Sequence, residues 1–353
     1  MTGDMPSSRG TSNKTAAAVF RLARICCVIA ALAIAVGEVA GSHWPVVCVT
    51  PFLPQWTFLA GLGLALLWPR LILRRFSRLD AACALVAFPA LVFGVAVIVD
   101  LVPWRNVRPA ERATADAANF GAIKIVSANV HVTNTDHASL LKLIDDERPD
   151  VIYLCEVNDA WMADLKPLRA TYPYRTNMPD ELGAFGAAVF SRLPADVRWT
   201  TFADKLAPGY ETPQADATVT LAGPDGLPRS VRVIGLHPLP PIKAGNTVAR
   251  DAVLDGVRKG VIDRLETPTI VCGDLNATRY CDIVGRLTAQ AALADATSSI
   301  RWSWPNKWSW PAMGIRIDHI LVSRHWRVAD VHVGRDIGSD HRPLVATLQR
   351  VDQ

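Results

Sequence analysis

The hydrophobic pattern divides the chain into an apolar first third and a larger remainder of short apolar runs separated by polar residues. A helix that crosses a membrane needs roughly 20 mostly apolar residues. Three segments before Arg105 approach or reach that length, at about residues 25–41, 52–73 and 81–102. The pattern predicts a membrane domain with about three transmembrane helices over residues 21–104. A polar, disordered N-terminus over residues 1–20 is expected to precede it.

Basic residues around the apolar segments predict the orientation of these helices. Four lie before the first segment and four lie between the second and third: Arg9, Lys14, Arg21, Arg24, Arg70, Arg74, Arg75 and Arg78. Basic residues that flank transmembrane helices stay in the cytoplasm. Three spans then place everything after Val102 on the outer, periplasmic side of a cell inner membrane. Because Arg70 interrupts the second segment, two spans are the alternative, and the large domain would then face the cytoplasm.

After the third segment, strand-like and helix-like patterns alternate. Residues 105–121 are polar and Ala-rich, as expected of a linker, and residues 122–353 form one large domain. Strands are predicted at 123–128, 151–155, 186–191, 230–236, 269–273, 317–322, 328–333 and 344–348. Helices are predicted at 136–147 and 247–265. Strands outnumber helices, so the pattern favours an α+β layered fold with a large core.

Charge is distributed unevenly between these two parts. Up to Trp104 there are eight basic and four acidic residues, and 8 − 4 accounts for the whole formal net charge of +4. The remaining 29 basic and 29 acidic residues cancel. A protein that binds nucleic acid nonspecifically usually has a basic excess or stripe. The neutral large domain therefore lowers the expectation of an enzyme that degrades DNA in bulk.

The seven cysteines show neither the spacing of a metal site nor the density of a disulfide scaffold. Cys155 and Cys272 end strand-like runs, where a small buried hydrophobic residue is the simpler interpretation. One disulfide among Cys155, Cys272 and Cys281 is the alternative.

Six short motifs in the large domain place an acid, an amide or an imidazole at the edge of an apolar run. Their polar residues are Asn129, Glu156, His237, Asp274 with Asn276, Asp318 with His319, and Asp340 with His341. Such groups are costly to bury unless they are paired or bind a metal. Six of them together predict one convergent, metal-dependent hydrolytic site.

The acids and amides suit a cation and a water molecule. Asp274 and Asn276 lie on the same side of an extended segment, where they can orient and deprotonate a water or share a metal. Glu156 is a natural Mg²⁺ ligand, because Mg²⁺ takes oxygen ligands and often only one or two carboxylates. Asn129 ends the preceding strand, where it can bond Glu156 or a substrate phosphate. Considered alone, the Asp274 motif is equally typical of a polar turn, and Asn129 is more typical of a turn than of a functional site.

The histidines suit a phosphate group. His237 is followed by Pro238 in a proline-rich loop that fixes its direction, and an imidazolium there can bind a phosphate oxygen. Asp318 is predicted to pair with His341, because an acid that holds a histidine in one tautomer makes either a general base or a phosphate-binding cation. His319 points to the opposite face of its strand and is interpreted as structural.

The Gly-Asp-Leu-Asn motif that ends at Asn276 and the Ser-Asp-His-Arg-Pro motif that contains His341 occur together with Asn129, Glu156, His237 and Asp318. In this order they resemble the endonuclease/exonuclease/phosphatase superfamily, which includes DNase I, abasic-site endonucleases, neutral sphingomyelinases and inositol-polyphosphate 5-phosphatases. The resemblance extends from about Ile123 to the C-terminus and is closest to bacterial membrane-anchored members. It implies a four-layer α/β/β/α sandwich, the DNase I-like fold, as the catalytic domain.

The resemblance also implies metal-assisted hydrolysis of a phosphate ester, with Mg²⁺ as the expected cofactor and Mn²⁺ as the alternative. Metal binding is assigned to Asn129, Glu156 and Asp340. The catalytic residues are then His237, Asp274, Asn276, Asp318 and His341. Asp274 would activate the attacking water, held by Asn276, and the two histidines would contact the phosphate.

Together these observations predict a membrane-anchored phosphodiesterase or phosphatase whose partners are its phosphoester substrate and the lipid bilayer. No obligatory protein partner is indicated. A lipid or small phosphoester is favoured, because the domain is neutral and tethered. A surface endonuclease is the first alternative. A non-catalytic binding or sensing module is the second, and it is less favoured because every candidate residue is present.

Four tryptophans lie within nine residues before Asp318, and they are Trp302, Trp304, Trp308 and Trp310. Large aromatic side chains usually pack into a core. Four so close together, interrupted by Pro305, are hard to bury at once. At least one is predicted to line the substrate entrance or to touch the bilayer surface.

Overall fold

The computed structural model describes residues 8–102, 107–113, 121–178, 180, 184–203, 206, 208–223, 225–306 and 313–351. The chain divides into two units, of which the first is Met1–Gly41 with Phe52–Arg105. The second is Ser42–Pro51 with Asn106–Gln353. The loop Ser42–Pro51 therefore belongs to the large domain, although the apolar pattern assigns it to the membrane domain.

Within its described residues, the first unit consists of the helices α1 (Ser8–Ala40), α2 (Leu53–Ile72) and α3 (Arg78–Ile98). All three are long and apolar enough to cross a membrane. The second apolar segment, which Arg70 makes ambiguous in the sequence, forms a helix of 20 residues from Leu53.

The N-terminal end of α1 corrects one prediction. The helix begins at Ser8, so the disorder predicted over residues 1–20 is wrong for residues 8–20. The run of alanines at residues 16–18 has the highest helix propensity and extends the apolar helix toward the N-terminus. Residues 1–7 lie outside the described part of the chain.

One buried carboxylate joins the three helices. Asp80 of α3 pairs with Arg24 of α1 (Nη2 to Oδ1, 2.7 Å) and with Arg70 of α2 (Nε to Oδ2, 2.9 Å). Ser77, the N-cap of α3, exchanges hydrogen bonds with Asp80 in a capping box. These partners satisfy a charge that would be costly to bury alone. Two of the arginines that predict orientation therefore also fix the packing of the helices.

The second unit contains two six-stranded sheets. Its described strands are β1 (Ala122–Asn129), β2 (Val151–Cys155), β3 (Tyr174–Met178), β4 (Ala187–Ser191), β5 (Ala195–Thr200), β6 (Gln214–Ala222), β7 (Pro228–Leu236), β8 (Thr269–Asp274), β9 (Leu293–Asp295), β10 (Asp318–Ser323), β11 (Trp326–Val333) and β12 (Leu344–Arg350). Its described α-helices are α4 (His137–Glu147), α5 (Asp159–Asp164), α6 (Ala244–Ile262) and α7 (Asp282–Gln290). The strand orders are β11-β12-β1-β2-β4-β3 and β5-β6-β7-β8-β10-β9.

Apolar side chains hold these elements in four layers. Residues such as Tyr153 and Ile270 fill the space between the two sheets. Leu140 of α4 and Trp161 of α5 cover the outer face of the first sheet, and α6 and α7 cover the second sheet in the same way, with Leu254 among the packed residues. The predicted α/β/β/α sandwich is confirmed.

Every strand and helix predicted for this domain is present, with ends that differ by a few residues. Helix α6, for example, covers Ala244–Ile262 rather than 247–265. The pattern misses α5, α7, β3, β5, β6 and β9. Several of these are short or carry exposed polar residues, as in β3, so their periodicity is weak.

Residues 107–113 are not the free linker predicted over residues 105–121. The Ala110 N–H donates to the Asp295 carbonyl (3.0 Å), and the Ala113 N–H donates to the Val328 carbonyl (2.9 Å). Val107 is buried in the core beneath α6 and α7. Strand edges offer unpaired backbone groups, which this segment satisfies. The rest of the predicted linker, residues 105–106 and 114–120, lies outside the described residues.

All seven cysteines are free thiols, and only Cys48 is exposed. The alternative of a disulfide among Cys155, Cys272 and Cys281 is therefore not realised. Burial raises the pKa of the Cys272 thiol to about 12, so it is a hydrophobic core residue rather than a reactive thiolate.

A buried ion pair lies behind the edge of the second sheet. Asp295 Oδ2 is 2.8 Å from Arg316 Nη2, and both side chains are almost fully buried. Although burial opposes ionisation, Arg316 and His319 hold the pKa of Asp295 well below its usual range. His319 also bonds the Ala277 carbonyl (3.0 Å), which fits its structural interpretation.

We expect Asp295→Asn to lower the free energy of unfolding by about 3–5 kcal/mol at pH 7, because it leaves Arg316 as an unpaired buried charge. Because the pKa of Asp295 is depressed, its ionised form stabilises the fold above the ordinary Asp pKa, and this stabilisation is lost as pH falls. The difference in stability between wild type and variant should therefore shrink below about pH 4. Thermal denaturation from pH 3 to 8 measures this. The exposed-residue control Asp263→Asn should change little, and an equal loss in both variants would contradict this role of the pair.

Candidate active site

The sheet topology brings the six motifs to one edge of the sandwich. Strands β1 and β2 are parallel, as are β7 and β8, so the carboxyl ends of each pair lie side by side. Asn129 ends β1, and Glu156 directly follows β2. Likewise His237 directly follows β7, and Asp274 ends β8.

The antiparallel strand β10 adds a second carboxylate. Its first residue, Asp318, is directly opposite Asp274 in the register with β8. Gly273 permits the backbone turn at this point: its φ is +133°, and a Cβ there would lie 2.0 Å from the Leu236 carbonyl oxygen. Only glycine fits this approach of β7 and β8, which explains the Gly-Asp sequence of the motif.

Asn129 connects the carboxylates of the two sheets. Its Nδ2 donates to Glu156 Oε1 (2.7 Å) and lies 3.3 Å from Asp274 Oδ2. Glu156 Oε2 accepts from the Val132 N–H (3.2 Å). The backbone of Glu156 has a φ of +63°, which is uncommon for a residue with a side chain and typical of functional sites.

His237 lies over the same two acids. Its Nε2 is 3.8 Å from both Glu156 Oε1 and Asp274 Oδ2. Gln214 holds the backbone of His237, because its Oε1 accepts the His237 N–H (2.6 Å) and its Nε2 lies 3.3 Å from the His237 carbonyl. The side chain is almost fully buried, and its Nδ1 has no hydrogen-bond partner among the described residues.

His341 lies between two carboxylates. Its Nδ1 is 2.8 Å from Asp318 Oδ2, and its Nε2 is 3.6 Å from Asp274 Oδ2. The predicted pairing of Asp318 with His341 is therefore present. Ser339 Oγ accepts the His341 N–H (3.0 Å) and donates to the Asn129 carbonyl (2.8 Å), which connects the last motif to the first.

Burial and neighbouring charges shift the titration of these groups in opposite directions. Burial raises the pKa of Asp274 to about 6, although His341 and His237 favour its ionised form. Burial opposes protonation of His341, but Asp318 and Asp274 raise its pKa to about 10. Burial would raise the pKa of Asp318, but the charge and hydrogen bond of His341 hold it below its usual value. His341 is therefore an imidazolium at neutral pH, beside an acid that ionises near neutrality.

Asn276 differs from its predicted position beside Asp274. Its backbone N–H donates to Asp274 Oδ1 (2.8 Å), and its φ is +49°. Its side-chain Nδ2 donates to the Pro238 carbonyl (2.9 Å). The left-handed turn ends the extended alternation on which the prediction depends. The Asn276 side chain therefore holds the loop that carries His237.

Asp340 contacts a tryptophan of the predicted cluster. Its Oδ2 accepts from Trp304 Nε1 (3.0 Å), and its Oδ1 lies 3.9 Å from His131 Nδ1. The Trp304 and His341 ring centroids are 6.5 Å apart, so Trp304 lies beside the site. Trp302 instead packs against Arg342, whose guanidinium is 4.7 Å from its ring centroid. Trp308 and Trp310 lie outside the described residues.

The residue chemistry fits a divalent cation. The site contains the carboxylates of Glu156, Asp274, Asp318 and Asp340, against which His341 supplies one positive charge. Ligand atoms of Asp274, Asp318 and His341 lie within 4.8 Å of one another. A protonated His341, however, has no lone pair for a metal and already bonds Asp318. A cation therefore fits better beside Glu156, whose carboxylate has oxygen ligands of the kind that Mg²⁺ prefers.

Sequence reasoning missed two residues that position the site and did not predict the contact of a third. Gln214 holds His237, Ser303 Oγ accepts the N–H groups of Ile317 and Asp318 (3.1 Å each), and Trp304 bonds Asp340. Gln214 and Ser303 are single polar residues without a motif, so no local signal identifies them. Trp304 belongs to the tryptophan cluster, whose sequence indicates a role at the substrate entrance or the bilayer surface but does not indicate which tryptophan contacts the site.

The fold and the motifs match known proteins. The sequence profile of the Endonuclease/Exonuclease/phosphatase family matches residues 126–341. No curated protein matches the chain. A functionally unknown conserved protein from Enterococcus faecalis V583 is 21% identical, with a TM-score of 0.52 over 65% of this chain and 100% of that chain.

Two further solved structures share the fold. An endonuclease/exonuclease/phosphatase family protein from Bacteroides thetaiotaomicron is 16% identical, with a TM-score of 0.51 over 67% of this chain and 100% of that chain. D. rerio TDP2, complexed with single strand DNA product, is 17% identical, with a TM-score of 0.50 over 65% of this chain and 99% of that chain. The second unit has the DNase I-like fold.

The profile match covers more than half of the chain and includes all eight residues that the sequence motifs assign to the site. The chain belongs to the endonuclease/exonuclease/phosphatase family.

Proposed function

We propose that the protein is a membrane-anchored, Mg²⁺-dependent phosphoesterase that hydrolyses a phosphodiester or phosphomonoester with a directly activated water. The observation that carries this proposal is the arrangement around Asp274. Its Oδ2 lies within 3.8 Å of both His237 Nε2 and His341 Nε2. One acid that titrates near neutral pH and two imidazoles form a site for a water and a phosphate.

Each residue then has one task. Asp274 accepts the proton of the attacking water at Oδ2, while the Asn276 N–H holds its Oδ1. His341, protonated and oriented by Asp318, donates to a phosphoryl oxygen and stabilises the negative charge that develops there. His237 contacts the same phosphoryl group from the other side of Asp274. The new P–O bond to water forms as the P–O bond to the leaving group breaks.

Glu156 is the proposed main ligand of Mg²⁺, with Asn129 and Asp340 nearby and Mn²⁺ as an alternative ion. When bound, the metal would neutralise charge on the phosphoryl group and its leaving oxygen. The Asn129 side chain directs its amide nitrogen toward Glu156, so the amide would have to rotate by half a turn to offer its oxygen to the metal. Asp340 is about two-fifths exposed and can approach a cation through small side-chain motion.

A lipid or small phosphoester is the proposed substrate, since residues 105–353 carry no net charge. A nuclease is the second candidate, and the single strand DNA product bound to the similarly folded D. rerio TDP2 favours it. A non-catalytic module is a weaker candidate, because the proposed acids and imidazoles are all present.

Asp318→Asn is expected to lower kcat by about 10- to 100-fold, because His341 loses the acid that orients and charges it. The change should also lower the pKa of His341, so activity should decline at a lower alkaline pH than in wild type. The acid limb near pH 6, where Asp274 ionises, should persist. A pH–kcat profile of both proteins measures this. A loss of kcat with an unchanged alkaline limb would contradict the proposed role of Asp318.

We also propose three membrane spans with the catalytic domain on the periplasmic side of the inner membrane. The Cys48 thiol, in the loop between α1 and α2, donates to the Pro241 carbonyl (3.2 Å) in the catalytic domain. If α2 did not span, that loop and the catalytic domain would emerge on opposite sides of the membrane, and this contact could not form. The contact therefore favours three spans.

A cysteine at Leu227, which is exposed, is expected to react in intact cells with a thiol reagent that cannot cross the inner membrane. The background variant Cys48→Ser removes the exposed native thiol and keeps a hydrogen-bond donor. Leu227→Cys in that background should label before lysis, and Cys48→Ser alone should not. Labelling of Leu227→Cys only after lysis would place the domain in the cytoplasm.

A hydrolysis screen with the full-length protein tests the function itself. The substrates are phospholipids, inositol phosphates, RNA, nicked and supercoiled DNA, and bis-p-nitrophenyl phosphate, each with Mg²⁺ and with EDTA. Hydrolysis of a lipid or small phosphoester without DNA nicking supports the leading proposal. Nicking that exceeds all other activities would support the nuclease instead, and metal-independent or absent hydrolysis would overturn both.

A further inference from the structure

The loop Ser42–Pro51 joins two membrane-length helices and also forms part of the catalytic domain. Cys48 bonds the Pro241 carbonyl, and Val47 beside it is buried. Pro241 lies four residues after His237, in the loop that Asn276 holds through Pro238. A segment anchored at both ends in membrane helices therefore contacts the loop that carries an active-site imidazole.

The covalent chain limits how far this loop can lie from the membrane. Cys48 precedes Leu53, the first residue of α2, by five residues. Five residues span at most about 18 Å when fully extended. The polar headgroup region adds about 5–8 Å on each side of the hydrocarbon core. The limit follows from chain connectivity alone: Cys48, which bonds the loop after His237, lies within about 18 Å of the start of α2.

Exposed apolar side chains lie on both segments that meet at this contact. Ile242 directly follows Pro241 and is 65% exposed, and Val248 in the second turn of α6 is 70% exposed. Trp44, in the loop Ser42–Pro51, is 47% exposed. Lys243, between the two apolar residues of the catalytic domain, is exposed as well. Single exposed apolar residues are ordinary, but tryptophan, aliphatic and lysine side chains together are typical of a membrane interface.

We propose that Trp44, Ile242 and Val248 seat the catalytic domain on the phospholipid bilayer, and that the substrate is a lipid whose phosphoester headgroup enters the site from that surface. The occupant of this face is the bilayer because the loop Ser42–Pro51 is covalently continuous with α1 and α2. The identity of the substrate rests on the proposed phosphoesterase function, whereas the seating on the bilayer does not.

Lipid quenching tests the seating without any requirement for activity. Full-length protein with Cys48→Ser and either Ile242→Cys or Val248→Cys is labelled with a polarity-sensitive fluorophore and reconstituted into phosphatidylcholine–phosphatidylglycerol vesicles. Nitroxide-labelled lipid should remove most of the fluorescence at both positions. The control is Leu227→Cys, which is 60% exposed at the opposite end of β7 from His237 and should lose little. Equal quenching at all three positions would overturn the proposal.

A ratio of activities tests the lipid substrate. The double variant Ile242→Glu with Val248→Glu should lower the ratio of vesicle phospholipid hydrolysis to bis-p-nitrophenyl phosphate hydrolysis by about tenfold. The control Leu227→Glu should leave that ratio unchanged. An unchanged ratio in the double variant would overturn the proposal that a lipid substrate enters from the bilayer. If wild type hydrolyses neither substrate, the phosphoesterase proposal fails, while the quenching result still decides the seating.

Discussion

Replacement of Asp274 by asparagine is expected to lower kcat by about 10²–10⁴-fold, the usual contribution of a general base. The amide keeps the shape of the side chain but cannot accept the proton of the attacking water. The fold should not suffer, because burial raises the pKa of Asp274 to about 6, so its ionisation at neutral pH costs the folded protein stability relative to the unfolded chain. The melting temperature should therefore rise at pH 7, and the gain should shrink as pH falls and wild-type Asp274 becomes neutral.

Steady-state hydrolysis and thermal denaturation of the same preparations measure these two effects. Asp282→Asn, at an exposed position in α7, is the matched control and should change neither. Loss of activity with a gain in stability is the signature of a residue kept for function at a cost to the fold. Full activity in Asp274→Asn would exclude Asp274 as the base.

Glu156→Gln is expected to raise the Mg²⁺ concentration needed for half-maximal activity by about 10- to 100-fold or more. Loss of a residue that only hydrogen-bonds a metal ligand already lowers metal affinity or activity by this factor. The amide removes the charge of the proposed main ligand and can still pack against Asn129. The positive φ of Glu156 persists in the variant, so the backbone should keep its conformation. Activity as a function of Mg²⁺ and of Mn²⁺ measures the change.

The matched control is Glu266→Gln, whose native carboxylate is 85% exposed and which precedes the end of β8 opposite to Asp274. It should leave the metal titration unchanged. If Glu156→Gln lowered kcat without any change in metal dependence, Glu156 would act on substrate or structure, and the metal would have to be held by other carboxylates.

The sequence predicts most of the catalytic fold because its strands are continuous apolar runs that end in polar motifs. Strand β2, for example, is predicted with the bounds that the structure has, Val151–Cys155. The pattern fails where tertiary contacts determine the conformation. Residues 107–113 look like a polar linker, and the edges of β9 and β11 give them backbone hydrogen-bond partners. The apolar pattern assigns the loop Ser42–Pro51 to the membrane domain, but in the structure this loop is part of the second unit.

The contacts of the site were predictable only in part, for a similar reason. The pair of Asp318 and His341 follows from motif order, and it is present at 2.8 Å. The direction of the Asn276 side chain does not follow, because the left-handed backbone at Asn276 ends the alternation of an extended chain. Gln214, which holds His237, comes from a strand without any motif, and no property of the sequence near it indicates that contact.

The most direct test of the central claim is metal-dependent hydrolysis by the full-length protein, with wild type and Asp274→Asn measured in parallel on phospholipid vesicles and bis-p-nitrophenyl phosphate. The account predicts hydrolysis by wild type with Mg²⁺, loss of that hydrolysis in EDTA, recovery when Mg²⁺ is restored, and almost none by Asp274→Asn under any condition. Hydrolysis that persists in EDTA, or equal rates for the two proteins, would contradict it.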